Sequence, residues 1–313
     1  MKKIPIIAVV GPTASGKTDL AIALAKRLGA EIISFDSMQI YKGMHVASAA
    51  PDEAEKDGVP HHLLEFLDAD CAFSVADFVL LARKTANEIV SRGKPVIIVG
   101  GTGLYVSSFI DNVIFSEEKV DEALRLRLNA EYDAIGGEAM LERLREFDPQ
   151  TANRLHPNNK KRVIRAFEIY LSTGTTMSAQ MESSKAEESP YMPYMLGITF
   201  KNRDLLYEKI NLRVNKMLEN GLLKEAESAF KVKNGPTACQ AIGHKEFFPF
   251  FEGKISLEEA VENLKAETRR YAKRQLTWFR KDERINWIYR DECESTFDSA
   301  LEILERIGYF GKI

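Results

Sequence analysis

The sequence predicts an α/β protein: a parallel sheet core with a phosphate-binding P-loop, flanked by helices, with a helical insertion domain. Two observations predict this class. In the N-terminal third, continuous apolar runs alternate with amphipathic segments of helical period, which is typical of a parallel sheet covered on both faces. Polar or glycine-rich turns follow these runs, and in such a sheet the strand ends that carry them meet at one edge, where ligands bind.

The elements follow in order along the chain. Residues 4–10 predict a buried strand, and residues 17–28 predict a helix that ends at Gly29. A second strand at 31–35 ends at Asp36. The later predicted elements are a helix at 75–93, a strand at 95–101, a helix ending at Gly174, a strand at 194–200 and helical stretches at 203–230 and 256–281.

A change of composition predicts the domain organisation. From residue 116 the chain is charged and helical, and an apolar strand pattern returns only after residue 190. We therefore expect a helical insertion at 116–190. The catalytic core would comprise 1–115 and 191–313.

Composition excludes several classes of protein. The 313 residues are 45% hydrophobic and 28% charged, as in an ordinary globular protein, and the net charge of −3 leaves only local basic patches for a nucleic-acid partner. The three cysteines form no CxxC pair, so we expect no zinc or disulfide framework and a reducing cytoplasm. No stretch approaches the roughly 20 apolar residues that span a bilayer, so no membrane association is expected.

The segment GPTASGKT at 11–18 has the spacing G-x-x-x-x-G-K-[ST] directly after the first strand. Backbone N–H groups of such a loop surround a phosphate at a helix N-terminus. Lys17 adds a point charge, and the Thr18 hydroxyl can reach Mg²⁺. The motif predicts phosphate binding without specifying the compound.

The strand ends favour group transfer over hydrolysis. A triphosphate hydrolase usually has a metal-binding aspartate at a strand end, but Gly100 stands there on the third strand. Asp36 is the conspicuous carboxylate near the loop, and it can hold a metal or act as a base. A kinase of the same loop class remains an alternative, with Arg125 and Arg127 as candidates for its lid arginines.

Seven segments in order resemble one family. They are GPTASGKT (11–18), DSMQIYKGM (36–44), PHHL (60–63), GGTGLY (100–105), KKRVIRAFEIY (160–170), QAIGHKE (240–246) and YAKRQLTWFR (271–280). Together they resemble the bacterial tRNA isopentenyltransferase family, the tRNA dimethylallyltransferases, over nearly the whole chain. The resemblance implies a cytoplasmic prenyltransferase that moves a dimethylallyl group from its diphosphate to N6 of the adenosine 3′ of the anticodon. It implies Mg²⁺ as cofactor and no obligate protein partner.

The resemblance also implies roles for single residues. An exocyclic adenine amine is a poor nucleophile, and Asp36 matches the family's general base, although a turn cap is the alternative. Lys17, Thr18 and Arg213 would stabilise the leaving diphosphate, and Thr102 would line the channel where adenine meets the allyl group. Arg213 could instead belong to a solvated helix face, and Thr102 could bond its own turn. The diphosphate would bind Gly11, Pro12, Thr13, Ala14, Ser15, Gly16, Lys17 and Thr18, with Thr18 as metal ligand.

Two basic segments suggest where RNA binds. NNKKRVIR (158–165) has four basic residues and no acid, and Lys265, Arg269 and Lys273 lie four apart on a predicted helix. Either stripe could instead be a solvated helix face. With the turn after the second strand, the predicted tRNA contacts are Asp36, Ser37, Met38, Gln39, Thr102, Arg125, Lys160, Lys161, Arg162, Val163, Ile164, Lys265, Arg269 and Lys273.

The chain departs from the family pattern in two places. Ser48 and Ala49 replace a threonine–alanine–lysine run, and His244 replaces a frequent tyrosine. Two further functions remain open: prenyl transfer to free adenine nucleotides, and nucleotide-dependent RNA binding without chemistry.

Overall fold

The computed structural model describes residues 3–113, 115, 121–232 and 238–311. The chain separates into two compact units, Met1–Ile110 with Pro190–Ile313, and Asp111–Ser189. The predicted insertion at 116–190 lies close to these bounds. Its first residues, 116–120, fall outside the described part of the chain.

Among the described residues, six parallel strands form one sheet in the first unit, in the order β3-β2-β4-β1-β5-β6. The predicted parallel sheet is thereby confirmed, with β1 in its interior. The short β3 and the late β6 are not among the predicted strands. The strands are β1 (Ile4–Val10), β2 (Glu31–Ser34), β3 (His61–His62), β4 (Val96–Gly100), β5 (Tyr191–Thr199) and β6 (Ile285–Tyr289).

The helices of the described residues are, in chain order, α1 (Lys17–Leu28), α2 (His45–Ser48), α3 (Glu53–Lys56), α4 (Val75–Ser91), α5 (Gly103–Ile110), α6 (Glu122–Arg145), α7 (Pro149–Arg154), α8 (Lys160–Thr173), α9 (Met177–Ala186), α10 (Arg203–Glu219), α11 (Leu222–Val232), α12 (Phe248–Phe251), α13 (Leu257–Phe279) and α14 (Thr296–Arg306). The predicted stretch at 203–230 is two helices, since Gly221 (φ +93°) separates α10 from α11. Within the described residues we find no helix with the length and apolar character needed to cross a bilayer.

Helices cover both faces of the sheet because successive strand side chains point to opposite sides. Ile7 and Val9 pack with α1 and α14, in a cluster that includes Leu24 and Leu304. On the opposite face, Phe35 packs edge-to-face against Phe78 of α4 and Phe109 of α5. This double cover explains why the core of β1 reads as an uninterrupted apolar run.

The second unit consists of α6 to α9 around its own apolar core. Leu128 and Leu144 of α6 pack there with Phe167 of α8. The backbone of α6 is non-helical at Gly136 (φ +82°), so the element is two helical segments joined at a kink. A separate core of this kind is what allows the segment to be a compact unit.

One set of predicted RNA contacts is corrected by this core. Val163 and Ile164 are 0% and 5% exposed, and both belong to the apolar cluster of the second unit. The prediction that these two side chains contact tRNA is therefore wrong. They lie on the inward face of the amphipathic α8, whereas Lys161 and Arg162 on its other face are exposed.

This burial predicts a stability effect. Ile164→Ala should destabilise the second unit by about 2–5 kcal/mol, because it removes buried methyl groups and leaves a cavity. Hydrogen exchange of α6 and α8 amides measures the effect on that unit alone. Arg162→Ala, on the exposed face of the same helix, is the control. Equal exchange in the two variants would contradict the buried position of Ile164.

Candidate active site

The phosphate-binding loop leaves β1 and enters the N-terminus of α1. Gly11 (φ +148°) adopts a conformation that favours glycine, and a Cβ there would lie 2.2 Å from the Ile198 carbonyl oxygen. The Ser15 hydroxyl donates to the Pro12 carbonyl over 2.8 Å and braces the loop. The first N–H groups of α1 have no intrahelical acceptors, so this end of the helix favours an anion.

Two cations lie in the same site. Lys17 Nζ donates to the Pro12 carbonyl over 2.6 Å. Burial, reinforced by the charge of Arg213 and opposed by Asp36, lowers the pKa of Lys17 to about 7. Burial also lowers the pKa of Arg213, again opposed by Asp36. Because the two cations repel each other and have lost hydration, an anion bound between them would be strongly stabilised.

Asp36 lies in the turn that follows β2. Its Oδ1 accepts a hydrogen bond from the Met38 amide over 2.9 Å, so one carboxylate oxygen has the capping role that the sequence left open. Thr102, in the second glycine-rich turn, accepts a hydrogen bond from the Ser37 amide over 3.0 Å. The two turns are thus joined, and Asp36 and its neighbours Ser37 and Met38 line a cavity.

That cavity has a volume of about 370 Å³ and lies within the first unit. Its polar lining includes Thr13, Lys17, Thr18, Asp36 and Arg213. Its apolar lining includes Val99, Val214, Met217, Ile242 and Leu264. The volume and the mixed lining suit a small organic molecule with a charged head group.

Two further side chains of the polar lining, Tyr271 and Gln275, belong to α13, and the sequence assigned no individual role to either. Gln275 bonds the phosphate-binding loop and the second glycine-rich turn. Burial raises the pKa of Tyr271 above its ordinary value, the Asp36 carboxylate adds to the rise, and hydrogen bonds with Thr102 and Gln275 offset part of it. Tyr271 is therefore a neutral hydroxyl beside the carboxylate. The sequence offers two signals for them: their i, i+4 spacing on one helix face, and their place in the segment YAKRQLTWFR that resembles the family.

A third residue that the sequence did not indicate, Glu225, fixes the backbone of a segment that lines the cavity. Glu225 of α11 accepts hydrogen bonds from the Val46 and Ala47 amides over 2.8 and 2.9 Å, and its Oε1 lies 2.8 Å from Nε2 of the buried His244. Burial opposes ionisation of Glu225, but the bonds from His244 and the two amides hold its pKa below the usual value. Ala47, Ser48 and Ala49, where the sequence departs from the resemblance, line the cavity.

Comparison with known proteins identifies the family. Residues 39–282 match the model of the family described as IPP transferase. The chain belongs to the IPP transferase family. A tRNA dimethylallyltransferase of Acetivibrio thermocellus is 47% identical over 97% of this chain and 96% of its own length. One from Bacillus subtilis is 46% identical over 91% of each chain.

Solved structures of IPP transferases agree with the fold. A tRNA isopentenylpyrophosphate transferase from Bacillus halodurans has a TM-score of 0.72 and 42% identity, covering 100% of this chain and 97% of that one. A eukaryotic dimethylallyltransferase described as acting on tRNA has a TM-score of 0.82 and 28% identity, over 98% of this chain and 80% of its own. The predicted family, fold class and type of enzyme, a prenyltransferase, are thereby confirmed.

The predicted RNA contacts of the second unit of this IPP transferase fall into two groups. Lys161 and Arg162 are exposed. Lys160 Nζ lies 2.6 Å from Asp133 Oδ1. Arg125 makes a two-pronged ion pair with the buried Glu168, over 2.5 and 3.0 Å. Lys161 and Arg162 are therefore the better placed for phosphate groups.

The three basic residues of the predicted stripe on α13 also differ in exposure and in their partners. Lys265 pairs with Glu262 over 2.8 Å, and only 16% of its side chain is exposed. Arg269 donates to Asn211 Oδ1 over 2.7 Å, whereas Lys273 is exposed. Of the predicted turn residues, Gln39 uses its amide within the turn, accepting from the Ser34 hydroxyl over 2.7 Å, and it also lines the cavity. Contact of these residues with tRNA stays a prediction.

Proposed function

We propose that this IPP transferase moves a dimethylallyl group from dimethylallyl diphosphate to N6 of the adenosine 3′ of the anticodon in tRNA. One observation carries the proposal: a single cavity is lined by the phosphate-binding loop, the second glycine-rich turn, Asp36 and Arg213. An allylic diphosphate has the anionic head and the small apolar tail that this cavity suits. The relatives named above carry the name of this reaction.

The reaction needs charge stabilisation on the departing side. As the bond between the allylic carbon and oxygen breaks, its electron pair remains on the diphosphate. The backbone N–H groups at the start of α1, together with the Lys17 and Arg213 side chains, would bind that growing negative charge. Since the two cations are already desolvated, they need little rearrangement during the reaction.

The reaction also needs a proton acceptor on the nucleophile's side. The N6 lone pair forms the new C–N bond, and one N6 proton must then leave. Asp36 would accept it, because one of its oxygens is held by the Met38 amide and the carboxylate lines the cavity. Thr102 holds the Ser37 amide next to it and keeps the turn in place.

Mg²⁺ fits the oxygen donors of this site. The Thr18 hydroxyl and the Asp36 carboxylate line the cavity beside the phosphate-binding loop. Among the described residues no group of three or more His, Cys, Asp or Glu could hold a metal. Mg²⁺ is typically held by one or two protein oxygens together with substrate phosphate oxygens, and Thr18 would supply one of them. When bound, it neutralises charge on the leaving diphosphate.

RNA would approach with its adenosine unstacked, because a base cannot reach a cavity while it remains in the anticodon-loop stack. Exposed cations would bind the phosphate backbone. The reaction would take place in the cytoplasm, where tRNA is available, without an obligate protein partner.

A transfer assay tests the proposal. Purified protein and Mg²⁺ are mixed with an unmodified anticodon stem-loop and labelled dimethylallyl diphosphate, with labelled ATP in a parallel reaction. Label should enter the RNA only from the allylic donor. A stem-loop with guanosine, which lacks the N6 amine, at the same position is the matched control. ATP consumption without prenyl transfer would support the kinase alternative and refute the proposal.

The RNA contacts predict a salt effect. Lys161→Gln with Arg162→Gln should make the dependence of log affinity on log salt shallower by about 1–2, one for each lost phosphate contact. Stem-loop binding measured across a series of salt concentrations gives this slope. Lys224→Gln, an exposed lysine on α11, is the control. An unchanged slope in the double variant would place the RNA elsewhere.

A further inference from the structure

Gln275 connects two loops that are far apart in sequence. Its Oε1 accepts a hydrogen bond from the Thr13 amide over 2.8 Å, and its Nε2 donates to the Gly101 carbonyl over 3.0 Å. The two partners lie 262 and 174 residues away from it in sequence. The side chain is buried, with 5% of its surface exposed.

These contacts specify an amide. One partner is a donor and the other an acceptor, so only a side chain with both functions bonds them together. The absence of a side chain at Gly101 makes room for the Gln275 amide, since a Cβ at that position would lie 2.0 Å from Gln275 Nε2. A buried amide that bonds both partners, with the backbone of Gly101 packed against it, is held in one orientation.

The two hydrogen bonds of Gln275, to Thr13 and to Gly101, form a bridge between the diphosphate-binding loop and the turn next to the general base. Thr13 belongs to the loop that would hold the diphosphate. Gly101 precedes Thr102, which accepts a hydrogen bond from the Ser37 amide beside Asp36. Gln275 therefore connects the loop that would hold the leaving diphosphate with the turn that orients the Asp36 carboxylate.

We propose that Gln275 is a positioning residue that sets the distance between the diphosphate cradle and the general base. The inference rests on the proposed function. A reaction in which one bond forms as another breaks is sensitive to this spacing, and a shift of about 1 Å can cost about 10²-fold in rate. Gln275 itself touches neither reacting atom in this scheme.

Two substitutions test the bridge in the full chain. Gln275→Met keeps the volume and removes the hydrogen bonds with Thr13 and Gly101, and also the one with Tyr271. In Gln275→Glu, one oxygen still accepts from Thr13, but the other faces the Gly101 carbonyl without a proton. Protonation at low pH restores that donor, and burial raises the pKa of a carboxyl group toward neutrality. The other ionisable groups lining the same cavity are Lys17, Asp36, Arg213, Lys245, Tyr271 and Arg274, so each variant is compared with wild type at the same pH.

We expect both variants to lose about 10- to 100-fold in kcat near pH 8.5, with unchanged RNA affinity. Relative to wild type, Gln275→Glu should recover about tenfold near pH 6, whereas Gln275→Met should not. Hydrogen exchange at residues 11–18 and 100–105 should rise in Gln275→Met, and inorganic pyrophosphate with Mg²⁺ should bind it more weakly. Asn263→Asp, the same amide-to-carboxylate change at an exposed position of α13, is the matched control.

Wild-type kcat and wild-type exchange in Gln275→Met would overturn the inference. So would a loss in Gln275→Glu that is the same, relative to wild type, at every pH. Failure of the proposed function is distinguishable, because wild-type protein would then transfer no label. The exchange and pyrophosphate measurements would still report on the bridge.

Discussion

Asp36→Asn should lower prenyl transfer to the anticodon stem-loop by about 10²- to 10⁴-fold, the usual contribution of general-base catalysis. The substitution is close to isosteric. The Asn oxygen can still accept the hydrogen bond from the Met38 amide, so the turn after β2 is kept. What is lost is the capacity to accept the N6 proton. Single-turnover kinetics with saturating donor and RNA measures this step.

RNA binding and pyrophosphate binding should remain close to wild type in this variant, which separates chemistry from recognition. Asp70→Asn removes an exposed carboxylate that does not line the cavity and is the matched control. Turnover of Asp36→Asn near the wild-type value would remove the general-base assignment. Asp36 would then be a turn cap alone.

Lys17→Ala should reduce kcat/KM for the allylic donor by about 10²- to 10³-fold, as expected when one preorganised group facing the leaving charge is removed. The ammonium is poised by its bond to the Pro12 carbonyl, and the burial that lowers its pKa removes competing water. Binding of inorganic pyrophosphate should weaken, while stem-loop affinity should hold. Titrations with each ligand, alongside initial rates, measure the three quantities.

Lys26→Ala, on the same helix, is the control, since that lysine is exposed and pairs with Asp57. Its kinetics should match wild type. Unchanged kinetics for the allylic donor in Lys17→Ala would contradict the hypothesis that residues 11–18 bind its diphosphate.

The sequence could predict those parts of the site that are contiguous in the chain. The phosphate-binding loop is one motif with its preceding strand and following helix, and Asp36 stands at a strand end. Gln275 and Glu225 could not be found in this way, because most of their partners are backbone amides and carbonyls, and their side-chain partners follow no recognised motif. Only the folded chain brings those groups near. Almost every residue has a backbone amide and carbonyl, so the sequence does not show which of them will be a partner.

The error at Val163 and Ile164 has a different origin. The segment NNKKRVIR has four basic residues and no acid, which favours RNA contact along its whole length. Its helical period, however, places the apolar and basic residues on opposite faces. β3 escaped prediction because two residues have no detectable period. β6 has the length of β4, but it is only partly buried and Asn286 interrupts its apolar residues, so it lacks the continuous apolar run of a buried strand. Strand order was also out of reach, since no local signal places β4 between β2 and β1.

The phosphate-binding motif ends at residue 18, but two residues that hold the loop in place lie more than 250 positions later in the sequence. Arg290, just after β6, donates to the Ser15 carbonyl over 3.2 Å, and Gln275 holds the Thr13 amide. During synthesis on the ribosome, the loop would therefore emerge long before the residues that brace it. A nascent or truncated chain ending ahead of α13 would display the complete motif without a finished binding site. Competence for the donor would be acquired only after Gln275 and Arg290 have been synthesised and folded into place.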